Sequence, residues 1–273
     1  MSQKQPIAVV GMAGWFPGAD NIEIFWRNIL TGVDACSEVD PDRWRVAPDK
    51  MYHPEPQPDK AYSKRCSLIA DFKFNPTGFD IDPNLLAALD PLYHIVLNVG
   101  QEALKGIPET SLNRRRTGVV LAAIALPTDA ASEITRQILG AAYEEKLFAD
   151  LTHGKLNGAA ATSSRAQYLS ARVTSLTGAI LARAFGLGGG TYTLDAACAS
   201  SLYAVKLACD ELHTHRTDAM LAGGVSRPDC LFTQVGFSQL KALSPSGRCA
   251  PFDEGADGLV VGDGAGPLAL KCL

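Results

Sequence analysis

Short, almost purely apolar runs recur along this chain with helix-forming stretches between them, and that alternation limits the fold more than any other feature. The runs are "IAVV" at 7–10, "TGVVLAAIAL" at 117–126, "TYTLDA" at 191–196, "DAMLAGGV" at 218–225 and "GAGPLALKCL" at 264–273. Each predicts a buried strand, and "TGVVLAAIAL" one that is covered on both faces. Strands separated by helices imply crossover connections. The predicted class is α/β, with a five-stranded mixed, mainly parallel sheet and helices on both faces.

Helix signals fall where that reading needs them. In "NIEIFWRNILTG", Asn21 is placed to cap, the apolar residues recur at helical spacing, and Gly32 supplies the stop. "DPNLLAALDPLYHIVLNVGQEALKG" is helical but interrupted at Pro91, which predicts two helices or one kinked helix. A polar, alanine-rich stretch predicts a helix to about Phe148, and "RAQYLSARVTSLTG" predicts another with Gly178 near its end. Residues 39–75, with "HPEPQPDK" at their centre, are rich in Pro, Asp and Lys and predict an irregular, exposed insertion.

Charge and cysteine usage exclude several functions. Formal net charge is −4 with both signs interspersed, so no basic face is available for a phosphate backbone and nucleic acid is not an expected partner. No apolar run is long enough to span a bilayer and the N-terminus carries no leader pattern, which predicts a soluble cytoplasmic protein without membrane partners. Seven cysteines, at 36, 66, 198, 209, 230, 249 and 272, include no CxxC pair. Neither a disulfide framework nor a bound metal is expected.

Cys198 stands apart because it lies where a strand turns into a helix, among Ala196, Ala197, Ala199 and Ser200. Leu202, Val205, Cys209 and Leu212 then form one helical stripe, so the thiol meets the unpaired N–H groups of a helix start. Such a terminus favours negative charge by about 0.3–1 kcal/mol, up to about 2 in sheltered geometry. The same amides suit an oxyanion. Asp195 is placed to order the turn as an acceptor for backbone N–H groups, or simply to cap it. Against this stands the ordinary fate of a free cysteine, which is burial as a small hydrophobe. From the residues alone, nucleophile and packed thiol stay balanced. A cysteine hydrolase is the first enzymatic alternative, but it needs a base. The histidines that follow, His213 and His215, fall about 20 Å further along the same helix.

At this point the chain resembles the β-ketoacyl synthases, the condensing enzymes of the thiolase superfamily, in the style of polyketide and polyunsaturated fatty acid synthases. "IAVVGMAGWFPGADNIEIFWRNILTGVDACSEVDPDRW", "FDIDPNLLAALDP", "DAACASS", "LAGGV" and "FSQLKALSPSGRCAPFDEGADGLVVGDGAG" follow the family's order across the whole chain. The resemblance implies the N-terminal half of a thiolase-like domain over 1–273, the C-terminal half being absent. It implies that Cys198 takes an acyl chain from a carrier-protein thioester for a decarboxylative Claisen condensation with a malonyl thioester, its own N–H forming part of the oxyanion hole. The implied partners are an acyl carrier protein, which presents substrates on phosphopantetheine, the other domains of a multienzyme synthase, and a second copy paired through residues 191–194. No cofactor bound by this chain is implied.

Departures from the family pattern carry expectations too. The two histidine motifs and the lysine of the family do not occur here, and none of His53, His94, His153, His213 and His215 stands in such a motif. The chain alone is therefore expected to be incompetent for condensation. A non-catalytic partner of the chain-length-factor kind is the second reading, although such partners usually lack the cysteine. Phe237 is a candidate for the border of the acyl pocket. Arg248, Asp253 and Asp257 are expected to form structural ion pairs. The glycines of "GLVVGDGAG" predict close backbone packing rather than a phosphate cradle, since no helix follows them.

Overall fold

The computed structural model describes residues 5–69, 73–152 and 165–273. In chain order the first elements are β1 (Ile7–Met12), α1 (Ile22–Thr31), β2 (Ser37–Glu38), α2 (Pro41–Trp44), α3 (Pro48–Met51) and β3 (Arg65–Cys66). Next come α4 (Pro83–Ala87), α5 (Pro91–Leu104), β4 (Thr117–Ala123), α6 (Asp129–Thr152), α7 (Arg165–Ser170) and α8 (Val173–Phe185). The last are β5 (Thr191–Leu194), α9 (Ser200–His213), β6 (Ala219–Ser226), α10 (Cys230–Gln239) and β7 (Gly264–Cys272).

Local signals act as expected at several boundaries. The Asn21 side chain accepts a hydrogen bond from Ile24 N, and Gly32 ends α1 in the left-handed conformation at φ 66°. Pro91 opens α5 behind the Asp90 cap, so the interrupted stretch is two helices. The stretch at 165–178 is likewise split, into α7 and α8.

The five predicted strands form one mixed sheet in the order β1-β7-β6-β4-β5. β4 runs parallel to both β5 and β6, whereas β7 runs antiparallel to both β6 and β1. Strand β4 is buried along its whole length, and its side chains divide by the twofold alternation of a strand. Val119, Leu121 and Ala123 join the core under α5 and α8, while Val120 and Ala122 pack with Ala204, Ala208 and Leu212 of α9. Helices thus cover both faces.

Three expectations need correction. The β5 run is not a fully buried strand. It is a half-buried edge, because among the described residues β4 is the one strand that pairs with it. The buried stripe of α9 runs through Ala204, Ala208 and Leu212, and Leu202 is 75% exposed. Small alanines let the helix sit close on a sheet rich in glycine, which turns the leucine outward. Residues 39–69 are irregular and exposed around 53–60, as expected, but not throughout. β2 and β3 pair there, and Val39, Trp44, Ala61 and Cys66 form a separate core with Cys230 of α10.

Candidate active site at the β5–α9 elbow

Between β5 and α9 the chain makes a 3-10 turn over Ala197–Ala199, and Cys198 is its exposed middle residue. Ala197 is held at φ 50°, in the left-handed region that costs an L-residue about 1–2 kcal/mol. Strain of this kind persists only where surrounding contacts enforce it. Here four hydrogen bonds do so. Ala197 N donates to Asp195 Oδ1 at 2.8 Å and Ala196 N to Ser200 Oγ at 2.8 Å. The Ser200 hydroxyl donates to Ala197 O at 2.6 Å, and Ala125 N, just past β4, donates to Asp195 Oδ2 at 2.8 Å. Asp195 therefore orders the elbow and also ties it to the neighbouring strand. No side chain caps the start of α9. Among the described residues, no acceptor takes the N–H of Cys198, so that donor is free to meet an oxyanion.

The thiol lies in a cleft of about 520 Å³ at the C-terminal ends of β4 and β6 and the start of β7. Ligand sites in α/β sheets fall at this end of the strands. Its apolar walls come from Phe16, Ala122, Ile124, Val225 and Ala265. Gly224, Gly264 and Gly266 leave the space open. A Cβ on Gly264 would sit 3.0 Å from Phe16 Cδ1, and one on Gly224 would sit 3.2 Å from Ser201 Cβ. Of the late glycines, Gly264 and Gly266 make room for the Phe16 ring, and the expected close backbone packing shows at Gly258, where a Cβ would sit 2.4 Å from Ser244 N.

Asp263 closes the polar side of the cleft. Its Oδ2 accepts from both terminal nitrogens of Arg43 and from Ile69 N, each at 3.3 Å, and its own N–H donates to Ser67 O at 2.9 Å. Burial pushes the Asp263 carboxyl above the usual carboxylate range, against the pull of Arg43 and Arg227. A segment read as a solvent-exposed insertion thereby buttresses one wall of the site.

Other candidates fall elsewhere. Phe237 does not border this cleft. It is partly buried against Tyr62, Leu243 and Val261. Among the described residues, no ion pair joins Arg248 to Asp253 or Asp257. Asp257 instead accepts from the Ser244 hydroxyl at 2.5 Å and from Ser246 N at 3.1 Å, hydrogen bonds that hold its carboxyl below the usual range. Asp253 accepts from Gly255 N at 2.8 Å. Both carboxylates fold their own loop.

No histidine among the described residues lines the cleft. His53 binds Glu55 O, the half-buried His94 binds Leu86 O, and His213 binds Gln5 O. His215 lies beyond the end of α9. His153 falls outside the described residues. Sequence reasoning missed Ser200, Phe16 and Asp263. Only the serine had a local signal, as a hydroxyl two residues after the cysteine at a helix start.

The site is an exposed thiol on a strained, hydrogen-bonded elbow between a strand and a helix. The model of the β-ketoacyl synthase N-terminal domain matches residues 4–273, and the chain belongs to that family of condensing, acyl-transferring enzymes. One component of the phenolphthiocerol/phthiocerol polyketide synthase of Mycobacterium tuberculosis is 38% identical over 277 residues, covering 98% of this chain and 16% of that protein. Phthioceranic/hydroxyphthioceranic acid synthase of Mycobacterium bovis is 34% identical, with 98% and 12% covered. Among solved structures, the PfaC keto synthase–chain length factor has a TM-score of 0.85 at 35% identity, with 98% of this chain and 29% of that chain covered. A Streptomyces albus oxazolomycin ketosynthase domain has a TM-score of 0.76 at 30% identity, with 98% and 42% covered. The fold is thiolase-like α/β. The chain spans less than half the length of each of these relatives.

Proposed function

We propose that this chain supplies the acyl-accepting site of a β-ketoacyl synthase acting in polyketide or fatty acid synthesis. Cys198 sulfur attacks the thioester carbonyl of an acyl chain carried on the phosphopantetheine of an acyl carrier protein. The new C–S bond forms as the carrier's C–S bond breaks, and the carrier leaves as a thiol. In the second half-reaction, a malonyl thioester loses carbon dioxide, and the resulting carbanion attacks the acyl carbonyl. Cys198 then leaves as the thiolate. The oxyanion of each tetrahedral intermediate meets the free N–H of Cys198, fixed in place before the reaction begins. Decarboxylation needs groups beyond the histidines of this chain, so the 273 residues alone load but do not condense.

One observation carries the reading: an exposed sulfur on a hydrogen-bonded elbow, opening into a cleft with apolar walls. A chain-length-factor role is disfavoured by that sulfur, and a cysteine hydrolase by the lack of a histidine in the cleft among the described residues. The open edge of β5 supports pairing with a second copy, which would extend the sheet across a dimer. Among the described residues, no helix is long and apolar enough to cross a membrane, in keeping with a cytoplasmic setting.

Incubation with an acyl thioester followed by peptide mass spectrometry tests the proposal. The acyl mass should appear on Cys198 ahead of the other six cysteines. Cys198→Ala should abolish it. Equal labelling of all exposed cysteines would refute the reading.

A further inference from the structure

Away from the cleft, two thiols meet inside the protein. Cys66 ends β3 and Cys230 opens α10, and each is 1% exposed. They share a core with Val39, Trp44 and Ala61. The helix is fixed over the strand by Gln234, one turn beyond Cys230 on the same face, which donates from Nε2 to Arg65 O at 2.9 Å. That anchoring brings the two sulfurs together, and Cys66 donates its S–H to Cys230. Both are free thiols.

The two sulfurs are not equivalent. The hydrogen bond from Cys66 holds the Cys230 thiol below its ordinary range against the cost of burial, with help from the Trp44 indole and the Arg43 guanidinium. Trp44 Nε1 is buried with no hydrogen-bond partner among the described residues, so its N–H is free to serve a thiolate. Cys66, the donor of the pair and itself buried, is pushed the other way. In thiol oxidation a thiolate attacks the oxidant and a protonated neighbour resolves the product. Cys230 and Cys66 divide those two roles.

The pair also sits on the strut that holds the polar wall of the cleft. Directly after Cys66, Ser67 O accepts from Asp263 N and Ile69 N donates to Asp263 Oδ2. Arg43, whose charge acts on Cys230, bonds the same Asp263 oxygen. Directly before Cys230, Asp229 N donates to Pro127 O at 2.7 Å and so ties the start of α10 to the loop after β4.

We propose that Cys66 and Cys230 form a redox-sensitive dithiol that closes to a disulfide on meeting hydrogen peroxide, and so locks the segment that buttresses Asp263 to α10. Cys230 sulfur attacks one peroxide oxygen, the O–O bond breaks, and the departing hydroxide takes up the proton that Cys230 released. Cys230 is then a sulfenic acid. Cys66 sulfur attacks that sulfur, an S–S bond forms as the S–O bond breaks, and the oxygen leaves as water with the Cys66 proton. The two thiols lose two electrons, and the peroxide is reduced to two waters. The device needs nothing from Cys198 and stands apart from the acyl-accepting reading.

The test uses the full chain, treated first with iodoacetamide in the folded state, which caps the exposed Cys198 and Cys249 and leaves the buried pair free. Hydrogen peroxide is then added, and the protein is denatured, alkylated and digested without reductant. The expected product is a peptide cross-linked through Cys66 and Cys230 that dithiothreitol splits. Tm of the oxidised protein should rise by about 5 °C and return on reduction, since the bridge closes a long loop of the unfolded chain. In Cys66→Ser, a dimedone adduct should collect on Cys230, whereas Cys230→Ser should leave Cys66 unmodified. Free Cys66 and Cys230 after a peroxide dose that oxidises the exposed cysteines of an uncapped sample would overturn the proposal, as would a bridge that leaves Tm unchanged.

Discussion

Replacing Ser200 with alanine tests the elbow directly. The hydroxyl is buried, with the residue 6% exposed, and it makes two hydrogen bonds, accepting from Ala196 N at 2.8 Å and donating to Ala197 O at 2.6 Å. At about 0.5–1.5 kcal/mol each, their loss costs about 2 kcal/mol. For a domain of this size that lowers Tm by about 4–8 °C. The functional loss should be larger than stability alone implies. Ala197 sits at φ 50°, and without Ser200 it gains about 1–2 kcal/mol by relaxing to a right-handed conformation. Relaxation swings Cys198 and its N–H out of line. A misplacement of about 1 Å is enough to slow a positioned reaction by about 100-fold. Thermal unfolding and the rate of acyl loading on Cys198 are the assays. Ser201→Ala is the control, because Ser201 is exposed and its hydroxyl makes no hydrogen bond among the described residues. Wild-type Tm and wild-type loading in Ser200→Ala would refute the claim that these bonds hold the elbow.

Arg43→Met should cost about 3–5 kcal/mol in chemical denaturation, since it leaves Asp263, with a side chain 1% exposed, without its ion-pair partner. Stability should also fall on acidification below about pH 6.5. Burial holds the His94 imidazole below its ordinary pKa, so the unfolded chain binds the proton first, and stability is lost as pH drops through that window. His94→Phe keeps a ring against Phe74, stacked at 4.3 Å, and should flatten that part of the pH profile. Gly223→Ala should abolish soluble expression, because its Cβ would lie 2.1 Å from Gly266 O on the adjacent strand. Wild-type yield of that variant would contradict the β6–β7 register.

Local chemistry was legible wherever the deciding atoms are neighbours in the chain. Asn21 and Gly32 bound α1, Pro91 separates α4 from α5, and unbroken apolar runs mark strands whose two faces are both covered, as along β4. Cys198 stood out for the same reason, since a strand-to-helix change and a set of small neighbours are properties of a few consecutive residues. A short strand signal, however, does not say whether the strand is central or lies at an edge. β5 therefore proved half-buried, and only pairing showed it.

The sequence by itself determined the α/β class, the order of its elements and the position of the nucleophile candidate, because propensity, capping and hydrophobic period act over a few residues. Tertiary structure alone decided what surrounds that sulfur. Phe16 arrives through β1–β7 pairing, Asp263 is braced by Arg43 from more than 200 positions away, and Phe237 is drawn into a different cluster. These placements depend on strand order and on how the 39–69 segment docks, and such long-range packing leaves no periodic trace in the chain.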